Sequence, residues 1–270
     1  MAKVFLGVGH GGKDPGAVGY IKEADINLKM ATACKNYLEA NGVEVRMSRY
    51  KDENDDLNEE VNECNAYAPD VAVDCHNNGG GGDGFEAYYS ISGGVSKILA
   101  QNIEAEVKKI GQNSRGCKMR RGAGGKDYYG FIRMTNCPAV ICEGVFVDNM
   151  ADAAQADTDA ECKVFGEAYA KGILKTLKDM GKISNVTANK PVEDKPVESK
   201  PSQNISGYRV KVTVNALNIR SGAGTNNKVV GCITDGGVYT IVDTKDVNGY
   251  KWGKLKSGAG WISLKYTKRV

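Results

Sequence analysis

The segment SNVTANKPVEDKPVESKPSQNISG, at residues 184–207, divides this chain of 270 residues into a long block and a short one. Its three prolines recur every five residues, the tetrapeptide KPVE occurs twice, and no aromatic residue is present. A segment of this composition has too little apolar surface to form a packed core, which predicts a solvated, semi-extended linker. The chain is therefore expected to fold as two domains, at 1–183 and 208–270.

The long block alternates strand and helix signals, which predicts an α/β domain with a mixed, mostly parallel sheet flanked by helices. Short apolar runs predict strands at Val4–Val8, Val43–Ser48, Val71–Cys75, Phe85–Ser90 and Ala139–Cys142. Apolar residues at helical spacing predict helices at Asp25–Ala40, Asp56–Ala66, Val95–Ile110 and Ala160–Met180.

The short block has a different pattern, in which brief alternating runs are separated by glycine-containing turns. The runs predict strands at Lys211–Val214, Val229–Ile233, Tyr239–Val242, Lys251–Lys256 and Gly260–Ser263. Closely spaced strands of this length are typical of a small all-β barrel.

Charge, hydropathy and cysteine content exclude several classes of protein. The net charge of +3 is too small to indicate a nucleic-acid-binding protein, and no apolar run approaches the ~20 residues of a membrane helix. The N-terminus lacks the apolar core of a signal peptide, so we expect the protein to be made and kept in the cytosol until it is released. The eight cysteines are scattered without a C-x-x-C pair, which predicts reduced, mostly buried thiols.

The opening segment MAKVFLGVGHGGKDPGAVG contains a formal match to the G-x-G-x-x-G turn of dinucleotide-binding proteins. That motif needs a helix to begin at its third glycine, where the pyrophosphate binds. Pro15, Gly16 and Gly19 follow closely and disfavour a continuous helix. The glycines are therefore expected to form a loop that presents His10 instead of binding a nucleotide.

The two histidines of the chain, His10 and His76, each follow a predicted strand. Ligands of open α/β sheets gather at the carboxyl ends of strands, so both imidazoles are expected to meet there. Two imidazoles at one point suggest a metal, and catalytic zinc often adds a carboxylate ligand and a water. Glu23 and Asp25 both lie at the start of the first predicted helix, and the residues alone do not choose between them.

Glu143 directly follows the apolar run Ala139–Cys142, where a charged residue is unusual. A buried carboxylate has a raised pKa and can transfer protons, so Glu143 is a candidate general base; a structural salt bridge is the alternative. Cys75 and Cys142 adjoin His76 and Glu143. Successive side chains of a strand alternate between faces, so both thiols are expected to point away from the site, although a cysteine stays an alternative metal ligand.

Four segments, GHGGKDPGAVG, KEADINL, DCHNN and PAVICEGVFVDN, together resemble the zinc-dependent N-acetylmuramoyl-L-alanine amidases of the amidase-3 type. The resemblance covers residues 3–178 and implies a Zn²⁺ cofactor. It implies that His10, Glu23 and His76 bind the zinc and that Glu143 is catalytic, and so it selects Glu23 over Asp25.

The long block also departs from the family pattern. Asp74 stands where serine is usual, Asn77 stands where alanine or a similar residue is usual, and Gly144 follows Glu143 without a spacer. These departures leave the implied zinc ligands intact. Family-like positions at the end of DCHNN and in YGFIRMTNCP make Asn78 and Arg133 candidates for binding the substrate.

The short block resembles bacterial SH3 (SH3b) domains, through ALNIRSGAGTNNKVVG and YKWGKLKSGAGWISLKY. Such domains often bind the bacterial cell wall, which implies an SH3-like barrel at 208–270 with this role. Trp252 and Trp261 are candidates for stacking on glycan or peptide. Packing in the core of a small barrel is the alternative for each of these rings.

Taken together, the two resemblances imply an endolysin-like peptidoglycan hydrolase that cleaves the amide between N-acetylmuramic acid and L-alanine, with bacterial peptidoglycan as its partner. Two alternatives remain at this stage. One is a zinc endopeptidase or carboxypeptidase that acts on the stem peptides of the wall. The other is a non-catalytic wall-binding protein with a structural zinc site, for which the chain offers few suitable ligands.

Overall fold

The structure is a computed structural model that describes residues 1–183, 208–234, 236–247, 249–257 and 259–270. The chain divides into two compact units, Met1–Asn189 and Lys190–Val270. The predicted linker at 184–207 lies outside the described residues.

A mixed sheet of six strands organises the first unit, in the order β2-β1-β3-β6-β4-β5. The strands are β1 (Lys3–Val8), β2 (Glu44–Met47), β3 (Val71–Asn78), β4 (Phe85–Tyr89), β5 (Ser114–Lys118) and β6 (Ala139–Phe146). β4 runs antiparallel to β6, and the other neighbouring pairs are parallel. The predicted mixed, mostly parallel sheet is confirmed.

Helices cover both faces of this sheet. They are α1 (Glu23–Ala40), α2 (Leu57–Tyr67), α3 (Gly94–Lys109), α4 (Gly130–Met134), α5 (Met150–Ala153) and α6 (Asp159–Asp179). Local sequence explains their starts, as in α6, where Thr158 and Glu161 form a reciprocal capping box. The flanking helices complete the predicted α/β architecture.

The apolar residues of alternate strand positions build two cores, one on each face of the sheet. The larger core packs α1, α3 and α6 against residues such as Val73, Cys75 and Cys142. The smaller core packs α2 and α4 against Ala72 and Ile141. Side chains alternate between the two faces of a sheet along each strand. On the face that carries the smaller core, β3 and β6 therefore continue with polar residues, and these residues form the candidate active site.

Several elements differ from the sequence prediction. β3 and β6 continue to Asn78 and Phe146, so His76 and Glu143 lie within strands instead of directly after them. The two strands pair with each other beyond their apolar runs. Because the paired residues are far apart in the chain, neither run by itself predicts this extension. α1 begins at Glu23, and β5, α4 and α5 were not predicted because their short segments lack strong periodicity.

The described residues of the second unit form an all-β sheet of seven strands, in the order β13-β7-β10-β11-β12-β8-β9. The strands are β7 (Tyr208–Val212), β8 (Leu217–Arg220), β9 (Val229–Ile233), β10 (Val238–Val247), β11 (Tyr250–Leu255), β12 (Trp261–Ser263) and β13 (Thr267–Arg269). Neighbouring strands are antiparallel. The all-β class is confirmed, whereas β8 and β13 were not predicted.

All eight cysteines are free thiols, and five of them are buried. Cys75 and Cys142 belong to the larger core, on the face opposite His76 and Glu143, as the alternation of strand residues predicts. In the part of the chain that the structure describes, no helix combines the length and apolar character needed to cross a membrane.

Candidate active site

His10 lies in the loop that follows β1, where it adopts a φ of 64°. Such a backbone conformation is uncommon for a residue with a side chain and often marks a functional site. Two glycines provide the space around the imidazoles. A Cβ at Gly16 would lie 2.7 Å from the His10 ring, and a Cβ at Gly9 would lie 2.2 Å from the His76 ring. The glycine-rich loop therefore allows the two rings to approach.

Glu23 is the first residue of α1, and its side chain is almost completely buried. Its Oε2 accepts a hydrogen bond from the Ala17 N–H at 2.8 Å, and its Oε1 accepts one from the Asn77 N–H at 3.0 Å. Asp25 instead points to solvent and pairs with Lys22 at 2.8 Å. Helix geometry therefore separates two acids that sequence position alone left equivalent.

His76, on β3, completes a cluster with His10 and Glu23. Oε1 of Glu23 lies 3.3 Å from Nε2 of His10 and 3.1 Å from Nδ1 of His76. One ligand atom from each of the three residues lies within 4.8 Å of the others. The structure thus brings together all three residues that the sequence suggested as metal ligands.

A second carboxylate lies behind each imidazole. Oδ2 of Asp14 is 2.8 Å from Nδ1 of His10, and Oδ2 of Asp74 is 3.2 Å from Nε2 of His76. Metal-binding histidines commonly direct their other ring nitrogen at such a group, which orients the ring. Two imidazoles and a carboxylate that converge, with both rings oriented in this way, are a donor set that fits Zn²⁺.

Sequence reasoning missed the role of both outer carboxylates. The signal for Asp14 was its position four residues after His10 in the same glycine loop. The signal for Asp74 was its position two residues before His76, which puts both side chains on one face of a strand.

The electrostatics of the cluster favour a cation. Burial opposes ionisation of Glu23, but hydrogen bonds with His10 and His76 outweigh it and hold the pKa of Glu23 well below its usual range. The hydrogen bond with Glu23 raises the pKa of His10. Burial disfavours a charged His76, but Asp74 and Glu23 outweigh it and raise the pKa of His76 well above its usual value. These carboxylates stabilise positive charge, whether on a ring or on an ion between them.

Glu143 lies on β6, directly opposite His76 in the parallel register of β3 and β6. Burial raises the pKa of the Glu143 carboxyl to about 7. Within the described residues, that carboxylate has no hydrogen-bonding partner. A carboxylate of this kind is suited to exchange a proton near neutral pH.

A buried pair of amides ties the cluster to the sheet. Asn77 donates to Oδ1 of Asn27 at 2.7 Å and accepts from the Val145 N–H at 2.8 Å. Asn27 in turn donates to the Gly9 carbonyl at 2.8 Å. Asn77 therefore links β3 to α1 and β6, a role that the sequence did not reveal because its partners are distant in the chain.

Comparison with known protein families gives a match over most of the first unit. A family model described as N-acetylmuramoyl-L-alanine amidase matches residues 4–175. This chain belongs to the N-acetylmuramoyl-L-alanine amidase family. The predicted function, a peptidoglycan amidase of the endolysin type, is thereby confirmed.

Individual relatives of this amidase cover different parts of it. The endolysin of Bacillus phage SPP1 is 35% identical over 268 residues, which cover 94% of this chain and 93% of that protein. The sporulation-specific N-acetylmuramoyl-L-alanine amidase of Bacillus subtilis (strain 168) is 32% identical over 178 residues, which cover 64% of this chain and 67% of that protein.

One similar solved structure is the catalytic domain of CwlV, an N-acetylmuramoyl-L-alanine amidase from Bacillus (Paenibacillus) polymyxa var. colistinus. It matches this chain with a TM-score of 0.59 and 30% identity. The match covers 66% of this chain and 99% of that chain.

The residues suggested for substrate binding have different surroundings. Arg133, at the exposed surface of α4, donates to the carbonyls of Asp127 and Tyr128 at 2.8 and 2.7 Å, and so holds the preceding loop. Asn78 is half-buried at the end of β3, where its carbonyl accepts from the Val147 N–H at 2.8 Å. Direct contact of either side chain with substrate stays a prediction.

Trp252 and Trp261, in the second unit, have exposed fractions of only 5% and 7%. Little ring surface is therefore available for stacking on a ligand, which favours the alternative that both pack in the core. Their suggested role in binding the wall stays an untested prediction.

The amidase also buries an acidic pair behind His76. Oε1 of Glu60 and Oδ1 of Asp74 are buried without a hydrogen-bonding partner among the residues that the structure describes, and both would lie within 2.5 Å of a Cβ at Gly7. Burial, together with the charges of Asp74 and Asp55, raises the pKa of Glu60 well above its usual range. The Glu60 carboxyl therefore keeps its proton to a higher pH in the folded state than in the unfolded chain.

Glu60→Gln is expected to stabilise the first unit, by about 1–3 kcal/mol near pH 8, because the amide can donate to Asp74 and is neutral without taking up a proton from solution. At pH values between the usual pKa of glutamate and the raised pKa of Glu60, the folded wild type binds more protons than the unfolded wild type. Stability should therefore fall as pH rises through that window, and the advantage of the variant should grow. Urea unfolding from pH 5 to pH 8 measures this difference.

The matched control is Glu63→Gln, an exposed acid on the same helix, which should change stability by less than about 0.5 kcal/mol at each pH. A Glu60→Gln variant whose stability stays parallel to that of the wild type from pH 5 to pH 8 would contradict the raised pKa.

Proposed function

We propose that this chain hydrolyses the amide bond between N-acetylmuramic acid and the L-alanine of the stem peptide in a zinc-dependent reaction. His10, Glu23 and His76 would hold the ion. When bound, Zn²⁺ acts as a Lewis acid, which polarises the scissile carbonyl and makes water a stronger acid.

Glu143 is the proposed general base. Its carboxylate takes a proton from the attacking water and returns it to the nitrogen of the leaving L-alanine amine. Asp14 and Asp74 keep the two imidazoles oriented, and the hydrogen bonds from the N–H groups of Ala17 and Asn77 fix the Glu23 carboxylate.

The single observation that carries this proposal is the alignment of Glu143 with His76 on adjacent strands. Directly paired residues of a sheet point to the same face, so the half-buried Glu143 lies beside the histidine cluster. Its raised pKa suits a group that must both accept and return a proton.

The alternatives predict different products. An amidase releases new amino termini on L-alanine and leaves the glycan strands intact, whereas an endopeptidase cuts within the stem peptides and a carboxypeptidase releases a terminal amino acid. A non-catalytic wall-binding protein releases nothing. Family membership supports the first of these outcomes.

The test is a digest of purified peptidoglycan, followed by identification of the new chain ends by mass spectrometry. We expect intact glycan strands and free peptides that begin with L-alanine. Chelation should stop the release of these peptides, and added Zn²⁺ should restore it. Cleavage at another bond, or full activity in the metal-free protein, would refute the proposal.

For the second unit we propose an SH3-like barrel, at 208–270, that binds the cell wall and is joined to the catalytic domain by the linker at 184–207. The antiparallel order of its strands and the alignment with the SPP1 endolysin, which covers 94% of this chain, support this arrangement. We also propose that the protein accumulates in the cytosol and reaches the wall upon lysis, as the likeness to an endolysin suggests.

A further inference from the structure

The row of side chains that begins at the histidine cluster continues across the sheet beyond Glu143. Glu86, on β4, pairs directly with Glu143 in the antiparallel register of β4 and β6. β5 then pairs with β4 through a bulge that falls between Phe85 and Ala87. The bulge brings Arg115, on β5, beside Glu86 on the same face.

Glu86 is a buried carboxylate with three partners. It accepts hydrogen bonds from Nε of Arg115, from Nζ of Lys118 at 2.6 Å and from the hydroxyl of Tyr88 at 3.0 Å. Burial opposes its ionisation, but Lys118 and Arg115 outweigh burial and hold the pKa of Glu86 below its usual value. Glu86 is therefore charged at neutral pH and fixes both cations in position.

These groups leave an excess of positive charge. Arg115 and Lys118 carry two positive charges against the one negative charge of Glu86, and their side chains are 45% and 36% exposed. The guanidinium of Arg115 also lies over the ring of Phe146, at 5.3 Å from its centroid. Within the described residues its terminal NH₂ groups make no hydrogen bond, so they can donate to a ligand.

We propose that Arg115 and Lys118 form a subsite for a carboxylate of the substrate's stem peptide. This inference rests on the proposed function, because it locates the scissile amide at the histidine cluster. Neighbouring strands lie about 4.8 Å apart, and β5 is the third strand from β3, which carries His76, so the two strands are roughly 14 Å apart. An extended peptide advances about 3.4 Å per residue, and the carboxylate therefore belongs to a residue within roughly four positions of the scissile bond.

The alternative is that both cations only neutralise Glu86. A charged residue that merely supports the fold affects every substrate equally, whereas a subsite discriminates between substrates. The test therefore compares two synthetic muramyl peptides of the same length, which carry either free carboxylates or carboxamides on all residues after L-alanine.

The wild type is expected to favour the carboxylate by about five- to tenfold in kcat/KM, mostly through KM, since two partly exposed cations contact the anion. The variant Arg115→Gln/Lys118→Gln should lose this preference. Because that variant leaves Glu86 buried without a cation, a second variant adds Glu86→Gln and removes the unpaired charge. It should fold like the wild type by circular dichroism and also show no preference.

The matched control is Lys163→Gln/Lys171→Gln on α6, where two lysines flank Glu167 at 3.5 and 3.9 Å. It removes the same charge from another part of the unit and should keep the full preference. If the wild type cleaves both peptides equally at the amide, the subsite is refuted and the proposed function stands. If the variants slow both peptides by the same factor, the cations are structural. If neither peptide is cut at the amide, the proposed function fails as well.

Discussion

Glu143→Gln is expected to lower the rate of peptidoglycan hydrolysis by about 10²–10⁴-fold, the range that a positioned general base typically contributes. The glutamine keeps the size of the side chain but cannot accept the proton of the attacking water. Release of L-alanine amino termini from purified wall gives the rate, and metal analysis of the same preparation gives the zinc content.

The zinc content of Glu143→Gln should equal that of the wild type, because Glu143 is not among the three residues whose ligand atoms converge. The variant should also be at least as stable, since a neutral amide replaces a carboxyl whose pKa burial raises to about 7. Glu39→Gln, an exposed acid on α1, is the control for loss of one negative charge. A Glu143→Gln protein that is fully active with zinc bound would exclude Glu143 as the base.

Glu23→Gln is expected to weaken zinc binding by more than about 100-fold, because loss of an outer partner alone already weakens a metal site by 10- to 100-fold. The substitution removes the negative charge between the two imidazoles. It also turns an NH₂ group toward the N–H of Ala17 or Asn77, both of which donate to Glu23 in the wild type. Competition with a chelating indicator measures the affinity, and hydrolysis should fall with it.

Asp25→Asn is the matched control, because sequence position alone did not separate these two acids. Asp25 points to solvent and pairs with Lys22, so its amide should leave both zinc affinity and hydrolysis unchanged. Zinc should also raise the thermal stability of the wild type and of Asp25→Asn, but not that of Glu23→Gln, since a ligand stabilises the state that binds it. Equal zinc affinity in all three proteins would remove Glu23 from the site.

The fold class of each unit could be predicted from the sequence because the patterns that indicate helices and strands involve residues close together in the chain. Apolar residues at helical or strand spacing identify elements wherever a run is long, as in α3 and α6, and the two histidines pointed to one edge of the sheet. The same reasoning missed β5, whose sequence SRGCK has no apolar alternation. That strand exists because β4 provides a partner, and it carries the two cations of the proposed subsite.

Sequence by itself determined that this chain would form an α/β unit and an all-β unit, and that its family-like segments supply histidines and acids suited to binding a metal. Only the tertiary structure decided which side chains meet. The pairing of β3 with β6 aligns Glu143 with His76, and the start of α1 turns Glu23 inward and Asp25 outward. The physical reason is that periodicity and turn chemistry act over a few residues, whereas strand register and helix orientation depend on the burial of remote segments against one another.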